Sequence, residues 1–205
     1  MDTDRVRLVD IGNTHAKIYY HESIKVLKAE DFWLEKEFFY ISVNHDVNKK
    51  LLINRFAKNL EPFISLKTDY KGLGVDRKVL CSYIDDGVIV DAGSAVTVDI
   101  MSSGYHKGGF ILPGINAFFQ TYKSISPALD VKRELPDLDK LPQNTTQAIN
   151  FAVFSSVVRS IKDISKDKKI YFCGGDGKIL SSYFENSVYE EDLIFKAMKK
   201  IIKDL

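Results

Sequence analysis

Two short acidic turns in this chain have the residue types to bind a phosphorylated ligand together with a metal ion. Asp10-Ile11-Gly12 and Asp91-Ala92-Gly93 each follow an apolar run and precede a β-rich segment, which predicts a strand, a tight turn and a second strand. A glycine turn can press its N–H groups against an anion, and a carboxylate at the strand end can hold hydrated Mg²⁺ or orient a water. The matched pair predicts a duplicated fold with two acidic, phosphate-accepting loops facing each other across a cleft.

The composition is that of a globular protein with a large core. The chain has 205 residues, of which 45% are hydrophobic, and no run reaches the roughly 18 apolar residues of a membrane span. Residues 1–4 lack the basic start and apolar core of a secretory signal, so we expect a cytoplasmic protein. Cys81 and Cys173 match no metal-ligand spacing and are predicted to be reduced thiols. The near balance of 29 basic and 28 acidic residues argues against nucleic acid as the main partner, and no membrane partner is expected.

The hydrophobic periodicity predicts strands and helices in an order typical of a layered α/β fold. The first part is predicted as a hairpin (6–12 and 16–21), a strand (37–43), a helix (46–58) and a strand (63–66). The second part is predicted as a helix from Asp76, the second Asp-x-Gly hairpin, a strand between Gly104 and Gly114, helices at 115–129 and from Asn144, a strand at 169–173 and a helix at 191–205. A polar, glycine-containing loop at 68–74 predicts two domains, 1–73 and 74–205, with the last helix able to pack on the first domain.

Three of these features have an ordinary structural interpretation beside a functional one. Asp76 is expected near a helix N-terminus, where it could be a simple N-cap. Gly174-Gly175 suits the close approach of a planar or anionic ligand, but it could equally be a plain turn. The lysines near the C-terminus could form a basic patch, although the solvated face of the last helix explains them better.

Several segments, taken together and in order, resemble the type III pantothenate kinases of the actin-like (acetate and sugar kinase, heat-shock protein) ATPase superfamily. These segments are 10–17, 74–77, 91–95, 108–114, Asn144-Thr145 with Ala148-Ile149, and Gly174-Gly175. Ser94 stands where the family usually has threonine, which keeps the hydroxyl, and the chain is short for the family. The resemblance implies an α/β fold of two duplicated ribonuclease H-like (actin-like ATPase) domains, with mixed sheets flanked by helices.

The resemblance also implies an activity, which is the ATP-dependent phosphorylation of pantothenate to 4'-phosphopantothenate at the start of coenzyme A biosynthesis. In that reaction Asp76 would be the catalytic base that accepts the proton of the primary hydroxyl. The implied ATP-binding residues are Asp10, Ile11, Gly12, Asn13, Thr14, His15, Ala16, Lys17, Ser94, Gly174 and Gly175. The implied substrate-binding residues are Tyr70, Gly74, Val75, Asp76, Arg77 and Thr145.

The implied cofactors are Mg-ATP, with Asp10 holding Mg²⁺ through water, and a monovalent cation, potassium or ammonium, at Asp91. The family also implies a homodimer with the substrate site near the interface. A face of small side chains on the helix after Asn144, at Ala152, Ser155 and Ser156, would permit close packing against a second subunit.

Two other functions remain open, namely a superfamily kinase for another small hydroxyl substrate and a noncatalytic ATP-binding regulatory relative. Retention of Asp10, Asp76 and Asp91 together argues against the noncatalytic relative.

Overall fold

A computed structural model describes residues 6–205 of the chain. The prediction that residues 1–4 carry no secretory signal concerns a segment outside this range. Among the described residues, none of the helices combines the length and the apolar composition that a membrane crossing requires. Cys81 and Cys173 are both buried and form no disulfide, as expected for reduced thiols.

The described residues form strands and helices in the following order within each class. The strands are β1 (Arg7–Ile11), β2 (His15–Tyr20), β3 (Ser23–Lys28), β4 (Phe38–Ser42), β5 (Ala57–Asn59), β6 (Lys67–Thr68), β7 (Gly87–Ala92), β8 (Ala95–Ser102), β9 (Tyr105–Pro113), β10 (Ile170–Cys173) and β11 (Ser187–Tyr189). The helices are α1 (His45–Leu51), α2 (Val75–Tyr83), α3 (Ile115–Ile125), α4 (Thr145–Ser165), α5 (Gly177–Ser181) and α6 (Leu193–Lys203).

The two sheets of the described chain repeat one topology. The first has the order β3-β2-β1-β4-β5, in which β1 pairs antiparallel with β2 and parallel with β4. The second has the order β11-β10-β7-β8-β9-β6, in which β7 pairs parallel with β10 and β10 parallel with β11. Apart from β6, each strand of the second sheet has a counterpart in the first, with β7 in the place of β1. This repeat confirms the predicted α/β fold of two related halves with mixed sheets.

The chain packs as two compact units. One contains the described residues up to Asp85 together with 101–107 and 192–205, and the other contains 86–100 and 108–191. The last helix belongs to the first unit, where the ring of Phe195 stacks on Tyr19 with centroids 5.0 Å apart. The division into domains 1–73 and 74–205 stays a prediction, since a spatial unit and a repeat boundary need not coincide.

Helix α4 supplies much of the core of the second unit. The predicted apolar face is correct, because Val153, Val157 and Ile161 are almost fully buried against the strands. The predicted cap is also correct, since the Asn144 side chain accepts a hydrogen bond from the Gln147 N–H at 2.9 Å.

The predicted helix at 46–58 is wrong beyond Leu51, and β3 and β5 were not predicted. The Asn54 side chain accepts from the Phe56 N–H and donates to the Leu34 carbonyl oxygen, both at 3.0 Å. A buried asparagine that bonds nearby backbone in this way favours a turn over a helix. The apolar Phe56 that completed the helical pattern therefore precedes strand β5 instead.

Two further elements differ from the sequence prediction, and one further strand was not predicted. The strand predicted at 63–66 is wrong, because Glu61–Phe63 is a 3-10 turn and the strand that follows is β6, at Lys67–Thr68. The helix predicted at 115–129 ends at Ile125, since Pro127 disfavours helical backbone in the residue before it. Strand β11 was not predicted, and it lies beside β10 with Tyr171 paired to Val188.

Candidate active site

The first acidic turn follows β1, the central strand of the first sheet. Ile11 is fully buried, and strand alternation places the half-buried Asp10 side chain on the opposite face. The Gly12 N–H donates to the His15 carbonyl oxygen at 2.9 Å and closes the turn. The two residues between them are therefore exposed at the tip, and the whole segment 10–17 forms one hairpin.

Neighbouring segments hold the tip of this turn from two sides. The Ala29 N–H donates to the Thr14 carbonyl oxygen at 3.0 Å, and the Asn44 amide donates to the Asn13 carbonyl oxygen at 3.3 Å. The Asn44 side chain also caps α1 by accepting from the N–H groups of its first turn. A backbone fixed in this way suits a loop whose amides must act on an anion without reorganising.

A cavity of about 520 Å³ opens beside the tip of the first turn. Its volume lies within the usual range for small-molecule sites. It is lined by Asn13, Thr14, His15, Lys28, Glu30, Asn44, Asp46, Val47 and Lys50. The turn residues among these were predicted, whereas the two lysines were not, since nothing in their local sequence marks them. The cavity therefore presents two lysines, two carboxylates (Glu30 and Asp46) and side-chain amides next to the first acidic turn.

Asp76 lies in the first turn of α2, and it is not the N-cap of that helix. The N-cap is Gly74, so the interpretation of Asp76 as a simple cap is wrong. One carboxylate oxygen, Oδ1, accepts from the Arg77 N–H at 2.8 Å. A Cβ on Gly74 would lie 2.6 Å from that same oxygen, so glycine is needed to leave the carboxylate in place. A carboxylate in the first turn of a helix interacts favourably with the helix dipole.

The loop before α2 places Tyr70 beside Arg77. The Arg77 guanidinium carbon lies 5.0 Å from the centre of the Tyr70 ring, and Arg77 is only 4% exposed. The Tyr70 N–H donates to Thr68 Oγ1 at 3.0 Å, and that oxygen lies 2.8 Å from Nδ1 of the buried His106. The predicted substrate contacts Tyr70 and Arg77 are thus brought together by two side chains that sequence reasoning missed.

The Tyr105 phenol forms a hydrogen bond with the Asp69 carboxylate of the same loop. This hydrogen bond raises the pKa of Tyr105 above its usual value, and burial and the negative charge of Asp69 add to the effect. Tyr105 is therefore a neutral donor near neutral pH, which helps to fix the residue before Tyr70.

The second acidic turn follows β7 and is also closed by its glycine N–H, although the loop is one residue shorter than in the first turn. The Gly93 N–H donates to the Ala95 carbonyl oxygen at 2.9 Å, which leaves Ser94 exposed at the tip. The Gly114 N–H donates to the Ser94 carbonyl oxygen at 3.1 Å, and a Cβ on Gly114 would lie only 2.5 Å from it. The start of α3 therefore packs directly on the turn, which explains the glycine that precedes this helix.

Gly174 packs against the carboxylate of Asp91. Its φ of +82° is a left-handed conformation, and a Cβ would meet Asp91 Oδ1 at 2.5 Å and the Ala92 carbonyl oxygen at 2.6 Å. Gly175, in contrast, faces open space. Gly174 therefore packs so closely on Asp91 and Ala92 that a larger residue would not fit, whereas the surface at Gly175 is unobstructed.

We expect Gly174→Ala to lower the free energy of unfolding by at least about 1 to 2 kcal/mol, the usual cost of left-handed backbone for a residue with a Cβ. The clash with Ala92 adds to that cost because its backbone cannot move aside easily. Urea unfolding measures the effect, with Gly175→Ala as the matched control. Equal losses of stability in both variants would show that the close approach at Gly174 is unimportant.

Thr145 is the first residue of α4 and is exposed there, directly after the cap at Asn144. It belongs to the second unit, as do Asp91, Ser94 and Gly174, whereas Asp10, Tyr70 and Asp76 belong to the first. The predicted site residues therefore form an acidic hairpin and a helix start in one unit, and an acidic turn with a glycine turn in the other.

Comparison with known proteins gives a consistent family match. A family model described as type III pantothenate kinase matches residues 43–167, which include 74–77 and Asp91 but not 10–17 or Gly174. A type III pantothenate kinase from Helicobacter hepaticus is 45% identical over 205 residues, an alignment that covers 96% of this chain and 98% of that protein. That relative therefore extends the similarity to nearly the whole length of both chains.

Solved structures give the same result for the fold. A crystal structure from Campylobacter jejuni, provisionally named a conserved Baf family transcriptional activator, has a TM-score of 0.91 and 42% identity, covering 97% of this chain and 98% of that one. Component A of (R)-2-hydroxyglutaryl-CoA dehydratase from Acidaminococcus fermentans has a TM-score of 0.51 and 11% identity, covering 95% and 94%. This second likeness concerns the fold alone, which is that of actin-like ATPases and sugar kinases.

Proposed function

We propose that this chain, which belongs to the type III pantothenate kinase family, transfers the γ-phosphoryl group of ATP to the primary hydroxyl of pantothenate. The product would be 4'-phosphopantothenate, the first intermediate on the route to coenzyme A. The observation that carries the proposal is the Asp76 carboxylate, held in the first turn of α2 beside Arg77. A kinase needs such a group next to its acceptor, whereas a protein that only binds ATP does not.

Asp76 is the residue that we assign to proton transfer. Phosphoryl transfer depends mainly on positioning and on neutralising charge over the phosphoryl oxygens, so a base is needed only to accept the hydroxyl proton. The Arg77 N–H donates to Oδ1 of this carboxylate at 2.8 Å, which fixes the group in the first turn of α2. Tyr70, Gly74, Val75 and Arg77 would line the substrate around it, with the Tyr70 ring as an exposed apolar contact.

The hairpin 10–17 is the segment that we assign to the ATP phosphates. Mg-ATP, when bound, supplies the transferred phosphoryl group and the positive charge that offsets its oxygens. Asp10 is half-buried at the end of β1, and a carboxylate there fits a metal held through water. The closed turn at Gly12 would direct backbone amides at the phosphates. Ser94, Gly174 and Gly175 are the other residues that we assign to the nucleotide.

Asp91 is the residue that we assign to a monovalent cation. Potassium and ammonium are bound by oxygen atoms, and the packing of Gly174 brings the Asp91 carboxylate and the Ala92 carbonyl oxygen close together. This donor set fits such a cation, which would offset the negative charge of ATP. The proposal includes potassium or ammonium in this role without a preference between them.

A homodimer in the cytoplasm completes the proposal. Ser156 is exposed on α4, and its hydroxyl donates to the Ala152 carbonyl oxygen at 2.7 Å, so the polar group is satisfied within the helix. Ser155 is buried and bonds to the same carbonyl oxygen. Because Ser155 is buried within the chain itself, the expected face is reduced to Ala152 and Ser156, which would permit a second helix to approach closely. Thr145 lies on the same helix and would contact pantothenate near that interface.

A regulatory role without catalysis is the second candidate. It is favoured by the provisional name of the similar Campylobacter jejuni structure, which is that of a transcriptional activator. A kinase for another small hydroxyl substrate is a further alternative within the same superfamily. Under the main proposal pantothenate stimulates ATP turnover, whereas under both alternatives it does not.

A coupled assay for ADP release separates these functions. We expect ADP release with Mg-ATP and potassium to depend on added pantothenate and to stay at background without it. Pantothenate analogues that lack the primary hydroxyl serve as the matched control and should give background rates. ADP release with another hydroxyl compound but not with pantothenate would favour the second kinase, and ATP binding without any turnover would favour the regulatory role.

A further inference from the structure

A buried asparagine of α4 fixes the irregular segment at 130–143. Asn150 is 2% exposed, and its Oδ1 accepts from the Glu134 N–H at 2.7 Å. Its Nδ2 donates to the Lys132 carbonyl oxygen at 3.0 Å and to the Thr146 carbonyl oxygen at 2.9 Å. The Asn150 side chain thus forms hydrogen bonds with the backbone on both sides of Arg133 and connects this backbone to the first turn of α4.

A tyrosine holds the same segment farther along. The Tyr183 hydroxyl donates to the Pro136 carbonyl oxygen at 2.9 Å. Burial, with the negative charge of Asp137, raises the pKa of Tyr183 to about 12, so the phenol remains a hydrogen-bond donor near neutral pH. The segment is therefore fixed on both sides of Arg133.

Arg133 uses this fixed backbone to reach the glycine turn after β10. Its Nη2 lies 2.7 Å from Asp176 Oδ1, and the two side chains are only 28% and 16% exposed. The guanidinium also lies 5.6 Å from the centre of the Phe154 ring, and its Nη1 is 3.4 Å from Asn116 Oδ1. A charged pair at this depth strongly constrains the position of both partners.

Asp176 also contacts the second acidic turn through its backbone. Its N–H donates to the Ala92 carbonyl oxygen at 2.9 Å, next to the point where Gly174 packs on Asp91. The turn 174–176 is therefore held on one side by the strand end of β7 and on the other by Arg133.

We propose that Arg133 and Asp176 are positioning residues for the nucleotide, and that Asn150 aims Arg133 at Asp176. The proposal rests on the assignment of Gly174 and Gly175 to ATP under the proposed function. Through the ion pair, the glycine turn keeps one position against Asp91, so Gly175 presents its backbone to the nucleotide without prior ordering. Because Asn150 also bonds the first turn of α4, the same contacts link the glycine turn 174–176 to α4, the helix that begins with Thr145.

The test compares Arg133→Met, Asp176→Asn and the double variant with wild type. We expect each single variant to raise the Kd for Mg-ATP, measured by calorimetry, on the order of tenfold, which is within the range for residues that share one ion pair. The double variant should bind ATP no more weakly than the single variants, because the pair acts as a unit. The KM for pantothenate should stay within about twofold.

Two further variants make the test specific. Arg133→Lys keeps the charge but loses the planar fork, so it should recover part of the affinity, and it stands in if Arg133→Met does not fold. Lys123→Met removes the ion pair between Lys123 and Asp130, which is also 2.7 Å long but whose side chains are 55% and 49% exposed. This control should leave the Kd for ATP unchanged.

The outcomes separate the positioning role from a merely structural one. Lower melting temperatures with an unchanged Kd for ATP in the variants would overturn the proposal, as would equal effects in the Lys123 control. If wild type binds ATP but does not phosphorylate pantothenate, the proposed function fails while weaker ATP binding in the variants still supports the positioning role. Absence of ATP binding in wild type would overturn both.

Discussion

Asp76→Asn should lower kcat by at least about a hundredfold while the protein remains folded, because general-base contributions are typically about 10²- to 10⁴-fold. Asparagine keeps the shape of the side chain and can still accept from the Arg77 N–H, so the local contact at 2.8 Å is preserved. What it removes is the proton acceptor. The melting temperature should therefore stay within a few degrees, and ATP should still bind.

Asp192→Asn is the matched control for this substitution. Asp192 is also a carboxylate at a helix N-terminus, that of α6, where it pairs with Lys196 at 3.2 Å. Its loss should change kcat little, because the group takes no part in the proposed chemistry. If Asp76→Asn instead melts early with its specific activity intact, Asp76 is structural and the base must be sought at Asp10 or Asp91.

Asp91→Ala should be nearly inactive in every salt, and wild type should be far slower in sodium or Tris than in potassium. The physical reason is that, under the proposed function, the Asp91 carboxylate would hold a monovalent cation that offsets the charge of ATP, and this carboxylate packs against Gly174 at the end of β7. Loss of one preorganised electrostatic contact commonly costs about 10²- to 10³-fold in kcat. Initial rates in matched chloride buffers give the comparison.

Asp163→Ala controls for the loss of a carboxylate from the same unit, since Asp163 is exposed on α4. It should keep both the activity and the response to potassium. Equal rates of wild type in all buffers would refute the cation assignment, whereas full activity of Asp91→Ala in potassium would remove Asp91 from the site.

Local sequence patterns predicted those parts of the fold whose conformation is determined by a few consecutive residues. The two Asp-x-Gly turns, the presence of a helix near Asp76 and the cap at Asn144 were predictable because each is encoded within a few consecutive residues. Strand β3 was missed because its residues are largely exposed and show no clear alternation. Strand β11 was missed because it has only three residues and none of them is buried.

The site residues that escaped prediction act over long sequence distances. Arg133 and Asp176 are 43 residues apart in the chain, and the segment around Arg133 has no regular pattern of its own. The contact of Thr68 with His106 similarly spans 38 residues. No local rule connects such pairs, so the sequence alone assigned no role to Arg133. Their roles depend on which strands become neighbours.

Identification of the product is the measurement that tests the kinase assignment most directly. The purified protein is incubated with γ-labelled ATP, Mg²⁺, potassium and pantothenate, and the products are separated and examined by phosphorus NMR. We expect the label in a phosphate monoester at the primary hydroxyl of pantothenate, formed by wild type and not by Asp76→Asn. Label found only in ATP or in inorganic phosphate, with pantothenate unchanged, would contradict the assignment.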